Sequence, residues 1–213
     1  MNDDFLGAVS VHHLLEALEG VTYVTDTDGV IRVLGLSAWC DFAAANDAPE
    51  LAPIGVIGTS LFDMISGEDV RDAYRAMHQA VVTGARPRAC FTFRCDSPDV
   101  ERWMRMSISL VRGEGDVGVL YQSQLIRSEV RPSVALFSRE LLLQGLRGEA
   151  GRPIVAICSY CQRVAEGQGG GRWWMDAASY YRRGGGSQVR VSHGVCDACM
   201  ANVVEPNTAP LPA

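Results

Sequence analysis

Residues 21–34 read VTYVTDTDGVIRVL, and the topology of the first half of the chain hangs on them. β-formers alternate from Val21 to Thr25 and again from Val30 to Leu34, the period of strands with one buried face. Between them stands Asp26-Thr27-Asp28-Gly29, a turn in which Gly29 supplies the left-handed backbone. Two strands joined so tightly are antiparallel neighbours, so a sheet begins here.

On the N-terminal side, the apolar spacing from Leu14 to Gly20 predicts a short amphipathic helix with Gly20 as its C-cap. On the other side, Ser37 to Asn46 reads as a helix carrying Trp39, Phe42 and Ala43 inward, and Pro49 and Pro53 mark a loop. Gly58 to Ile65 (GTSLFDMI) is a helical turn capped by Thr59 or Ser60. Asp69 to Val82 is the strongest helix, with Val70, Ala73, Tyr74, Met77, Ala80 and Val81 at helical spacing and a stop at Gly84. Three strands follow, at Ala89–Arg94, Arg102–Val111 and Gly118–Leu125. Turn formers separate them at Asp96-Ser97-Pro98-Asp99 and Gly113-Glu114-Gly115-Asp116. This order predicts an α+β fold, a five-stranded antiparallel sheet with helices on one face.

The T-D-x-D-G hairpin at Thr25–Gly29, the G-x-S-L-F-D-M element at Gly58–Met64 and the long helix ending in Thr83-Gly84 together resemble a PAS domain, over residues 11–128. The resemblance implies a sensory domain for small ligands, redox state, light or protein contacts. Its cavity, between sheet and helices, would draw on Tyr23, Trp39, Phe42, Leu61, Phe62, Tyr74, Met77, Phe91, Met104 or Met106, and Tyr121, which suits a small planar ligand. The alternative is that these side chains fill the core. Haem-binding members of the family ligate iron through a histidine near the start of the long helix. His78 stands late on it, which makes haem the lesser cofactor expectation beside zinc. The N-C-R-F-L-Q motif of the flavin-type light sensors is absent.

Two Cys-x-x-Cys pairs, Cys158/Cys161 and Cys196/Cys199, occupy the last quarter of the chain. Two such knuckles supply the four thiolates of a closed tetrahedral zinc site, which builds structure and leaves no open position for chemistry. Four cysteines also suit an iron–sulfur cluster. A segment of some fifty residues buries too little to fold without a staple, which favours a structural metal. Cys199 falls in the first turn of a helix, where backbone N–H groups stabilise thiolate. His193 is a substitute ligand, a hydrogen-bond partner of a thiolate, or packing beside the knuckle. The layout is that of a treble-clef or zinc-ribbon module. It also resembles a cysteine-rich tail found beside PAS and other signalling domains in bacteria, carried here by Ile157–Cys161, Trp173 or Trp174, Tyr180 or Tyr181, and Ser192–Cys199.

The reading therefore divides the chain into a sensory domain (11–128), a connector helix or linker (129–153), a zinc module (154–204) and a disordered tail (205–213), the first and third with separate cores. In the connector, Val134 to Leu146 is amphipathic but carries no heptad run. Cys40, Cys90 and Cys95 read as buried, inert thiols. The charges at Arg94, Asp96, Asp99, Glu101, Arg102 and Arg105 read as a solvated turn; the other reading is that Arg102 and Arg105 share a strand face with Asp96 or with a ligand carboxylate. Arg172, Arg182, Arg183 and Arg190 make the module locally basic, either as soluble loops or as a nucleic-acid surface.

The 213-residue chain is 47% hydrophobic and carries a net charge of −6, which argues against a broad phosphate-binding surface. No run reaches the length of a membrane span, and the acidic N-terminus is unlike a signal peptide. Seven cysteines in such a chain fit the cytoplasm. No phosphate loop, G-x-S-x-G elbow or paired-histidine metal motif occurs, so no enzyme is expected. The expected role is a signalling protein that binds a small ligand or a protein partner and relays its state through the zinc module. The alternatives are a DNA-associated regulator and a haem- or thiol-based redox sensor. Phe5, Leu6, Val9, Val11, Leu14, Leu15 and Leu18 offer a homodimer surface.

Overall fold

The computed structural model describes residues 10–46, 48–113, 115–141, 151–166 and 172–210. Strands β1 (Val21–Asp26), β2 (Ile31–Leu34), β3 (Arg88–Arg94), β4 (Val100–Arg112) and β5 (Val117–Val130) form one antiparallel sheet in the order β2-β1-β5-β4-β3. Helices α1 (Val11–Ala17), α2 (Leu36–Ala45) and α3 (Glu68–Val82) accompany it. This is the α+β, PAS-like arrangement that the order of motifs anticipates.

The inner sheet face alternates as the sequence requires: Met104, Met106 and Ile108 on β4 and Val119 and Tyr121 on β5 are buried. Tyr121 stacks on Tyr23 with ring centroids 4.9 Å apart, and Trp39 meets Tyr23 edge-on. Met77, Ala73 and Val81 press the buried stripe of α3 into the same cluster.

Several boundaries differ from the sequence reading. α1 starts at Val11 because Ser10 caps it, its hydroxyl accepting from the His13 N–H. Gly20 lies beyond that helix, at the entry to β1. β5 runs on to Val130, because β4 begins at Val100 and pairs with it to the end. The connector holds a 3-10 turn at Ala135–Phe137 and a helix from residue 139. Residues 142–150, the rest of its expected helix, lie outside those described.

The C-terminal part is a three-stranded sheet, β7-β6-β8, built from β6 (Ile154–Cys158), β7 (Val164–Glu166) and β8 (Arg190–Gly194). Helix α4 (Ala177–Arg182) precedes β8, and a continuous helix, α5, follows it over residues 197–208 with a π-helical stretch at Met200–Val204. The expected disordered tail is therefore helical as far as Thr208. It is held by packing against α3 and β3 that composition does not reveal.

The cores are not separate. Cys158, Tyr160, Cys196, Cys199 and Val204 belong to the same buried cluster as Tyr23, Met77 and Phe91. A second cluster, with Leu136, Phe137, Ile157, Val164, Tyr180 and Val191, lies on the far side of the small sheet. Among the described residues, no helix is long and apolar enough to cross a membrane.

Candidate metal centre and the cavity beside it

β6 and β8 run parallel, with Cys158 opposite Gly194. A parallel pair brings both strand ends to the same side, so the knuckle that follows β6 meets the one that follows β8. Cys158, Cys161, Cys196 and Cys199 converge there, with their sulfur atoms all within 4.8 Å of one another. Cys161 Sγ lies 3.6 Å from Cys196 Sγ. Tetrahedral bonds of about 2.3 Å place sulfurs roughly 3.8 Å apart, so the cluster fits a metal ion after small adjustments.

The backbone already favours thiolate. The Cys196 N–H donates to Cys158 Sγ and the Cys199 N–H to Cys196 Sγ, each at 3.4 Å. Hydrogen bonds from Cys161 and Cys199 hold the Cys158 thiol well below its usual range. The shared charge in turn pushes Cys161 and Cys199 up. Four crowded thiols that cannot all ionise together are the electrostatic setting a cation relieves.

Gln162 follows the first knuckle at φ 60°, a left-handed conformation rare for a residue with a side chain. Its N–H donates to Cys158 O at 2.9 Å, closing the knuckle. Sequence inspection gave no sign of it. His193 does not join the sulfur cluster. It makes no hydrogen bond to a thiolate; instead it lines a cavity, and burial pushes its pKa down.

The module docks on β3, the sheet edge. The outward Arg94 N–H donates to Tyr160 O at 2.8 Å, and the Cys90 N–H donates to Asn207 Oδ1 at 2.7 Å. An exposed edge strand is thereby covered. Tyr160, between two of the cysteines, stacks on Tyr74 of α3 and meets Phe91 edge-on.

Beside this contact lies an open cavity of about 530 Å3. Of the side chains named for the family's pocket, Tyr23, Phe42, Leu61 and Tyr74 line it and Trp39, Phe62, Met77, Phe91, Met104, Met106 and Tyr121 do not. Those seven are buried and belong to the core, where Tyr121 stacks on Tyr23. The cavity lies further out, closed on its other side by Ile157, Ser159, Gln162 and His193 of the module and by Phe137 of the connector.

His78 is fully buried, and both ring nitrogens are engaged. Nε2 lies 2.9 Å from Thr27 O, a carbonyl that can only accept, so Nε2 carries the proton. Nδ1 then accepts from the Tyr121 hydroxyl at 2.8 Å. Burial lowers the His78 pKa. With both nitrogens bonded, His78 joins hairpin, helix and sheet and has no nitrogen left for haem iron.

The charged turn is not a solvated one. Asp96 has a side chain 0% exposed and pairs with Arg94 Nη2 at 2.6 Å and Arg131 Nη1 at 2.7 Å. It also accepts from the Arg102 N–H, and Glu101 neutralises the second guanidinium. Arg131, from the segment after β5, had no sequence signal linking it to Asp96. No ligand carboxylate is needed here. Cys40 and Cys90 are exposed and Cys95 is half-buried, so none is the fully buried thiol expected.

No family model and no curated protein matches the chain. Among solved structures, the chain is similar to the PAS domain of BvgS from Bordetella pertussis, at 13% identity, 68% coverage of this chain, 96% of that one and a TM-score of 0.43. It is also similar to the PAS domain of an HTR-like protein from Haloarcula marismortui (20% identity, 55% and 94% coverage, TM-score 0.35). A third is the PAS domain of nitrogen regulation protein NR(II) from Vibrio parahaemolyticus (14%, 55% and 100%, TM-score 0.32).

Proposed function

We propose that this chain is a non-catalytic sensory and signalling protein in which a PAS-like domain passes its state to a partner protein through a zinc-stabilised module of treble-clef type. The observation that carries this reading is the docking of the cysteine knuckle on β3, with Tyr160 and Asn207 bonded to the edge strand and the sulfurs inside the shared core. Any change in β3 or α3 is felt by the knuckle, and loss of the metal is felt by the sheet. Zinc would be held by Cys158, Cys161, Cys196 and Cys199. It would close two loops in a segment whose own core is small, contributing structure and no open coordination position. Seven cysteines in the sequence and free thiols at all of them accord with a cytoplasmic setting.

Elemental analysis and the visible spectrum of the purified chain test the site together. The reading expects one zinc per chain and a featureless visible spectrum. A broad visible shoulder with iron would replace zinc by a cluster, a Soret band would restore haem, and a metal-free protein that protects residues 154–208 from protease would remove the metal role.

The same reading includes self-association. Val11 and Leu14 of α1 are 54% and 51% exposed while Leu15 points inward, so α1 keeps an apolar stripe that its own domain does not use. Phe5, Leu6 and Val9 lie outside the described residues. Light scattering at micromolar concentration should give a dimer mass that falls to the monomer when Leu14 is made Asp. A monomer for the unaltered chain would end the dimer proposal.

A further inference from the structure

The cavity between sheet and module has more hydrogen-bonding capacity than the protein uses. Tyr23, Tyr74, Ser66, Ser159 and His193 all line it, and none of their side chains has a protein hydrogen-bond partner among the described residues. None of these groups is sealed from solvent, so each is open to a partner that enters, and several gathered around one apolar-walled cavity point to a bound molecule. The walls include the rings of Phe42, Phe93 and Phe137 as well as the two tyrosines, so the space favours a flat aromatic body. Its one charged corner is already balanced: the guanidiniums of Arg94 and Arg131 face the carboxylates of Asp96 and Glu101. A charged ligand would find no free counter-charge there.

We propose that this cavity binds a neutral, planar aromatic molecule with hydrogen-bonding groups on its edge, held jointly by the PAS-like domain and the four-cysteine module. The site is not the interior pocket that the sequence suggested, which the buried rings occupy. Two of these five groups come from the module: Ser159 stands between two of the cysteines, and His193 lies on β8, the strand that leads to the other two. A molecule bound here bridges the two parts, and by linkage it tightens the metal as the metal tightens it. This regulatory consequence rests on the relay reading above; the binding site itself does not.

The test uses the zinc-loaded full chain and fluorine NMR of three probes: 5-fluoroindole and 6-fluorocoumarin, both neutral, and 5-fluoroindole-2-carboxylate, an anion. Both neutral probes are expected to bind at one saturable site. The carboxylate should bind about tenfold more weakly, the ratio set by about 1.4 kcal/mol of cost for burying an unpaired charge. Ser66→Trp, which fills the cavity from the loop before α3, should abolish binding with the melting temperature kept. Phe42→Trp fills it from α2 and serves should the first variant fold poorly. No binding of either neutral probe at millimolar concentration, equal binding of the carboxylate, or binding retained in both filled variants would overturn the proposal. Zinc release to a chromogenic chelator, followed with and without 5-fluoroindole, separates the two readings. Slower release supports both. Binding with unchanged release keeps the site and removes the relay, whereas absent binding removes the site alone.

Discussion

Asp96 illustrates what a single residue carries in this molecule. Its carboxylate is fully enclosed, and two guanidiniums and a backbone N–H surround it. Removing one partner from such a group leaves the others buried and unpaired, which costs more than the pairing itself contributes. Asp96→Asn is expected to destabilise the zinc-loaded chain by about 3 kcal/mol in urea unfolding, whereas Arg75→Gln, which loses an exposed pair with Asp72 and a cation contact over the Phe62 ring, should cost about 1 kcal/mol or less. Equal midpoints for the two variants would show that the Asp96 network is solvated after all. At this scale the sequence was partly legible. The cysteine positions follow from spacing alone, since a knuckle has a fixed length. The state of Asp96 was not legible, because one of its arginines comes from Arg131, 35 positions away, and nothing local to the turn reveals burial.

Among the elements, the close approach of β8 to the loop before α3 fixes how the two parts meet. Gly67 stands at φ 89°, and a Cβ placed there would lie 2.6 Å from the His193 carbonyl oxygen. Gly58 has nearly the same conformation, φ 87°, with nothing within 4 Å of the same position. Gly58→Ala therefore carries only the backbone cost, about 1–2 kcal/mol, and Gly67→Ala carries that plus the displacement of β8. Denaturant unfolding is expected to rank Gly67→Ala as clearly the worse, with a matching loss of zinc retention; equal costs would mean that the two parts do not meet here. The five strands and α3 were readable from periodicity, because each buries one face against a single partner layer. The parallel pairing of β6 with β8 was not, since side-chain alternation is the same in either direction. Nor was the run of α5 past Val204, where Asn207 is buried by contact with β3 rather than by its own composition.

For the molecule as a whole, the consequence is that metal and sheet share one core. The sequence suggested two independent parts, because a Cys-x-x-Cys segment of this length folds around its own ion in isolation. The apolar residues of its knuckle and of α5 are nevertheless buried against α3 and β3, and their hydrogen bonds cover the sheet edge. Native-state hydrogen exchange, read before and after the metal is removed by chelator, tests this most directly. The amides of Cys90 and Arg94, whose acceptors are Asn207 and Tyr160, should lose protection together with residues 154–208, and the α3 amides around Tyr74 should follow. Loss of protection confined to residues 154–208, with β3 and α3 unchanged, would contradict the shared core and the relay built on it.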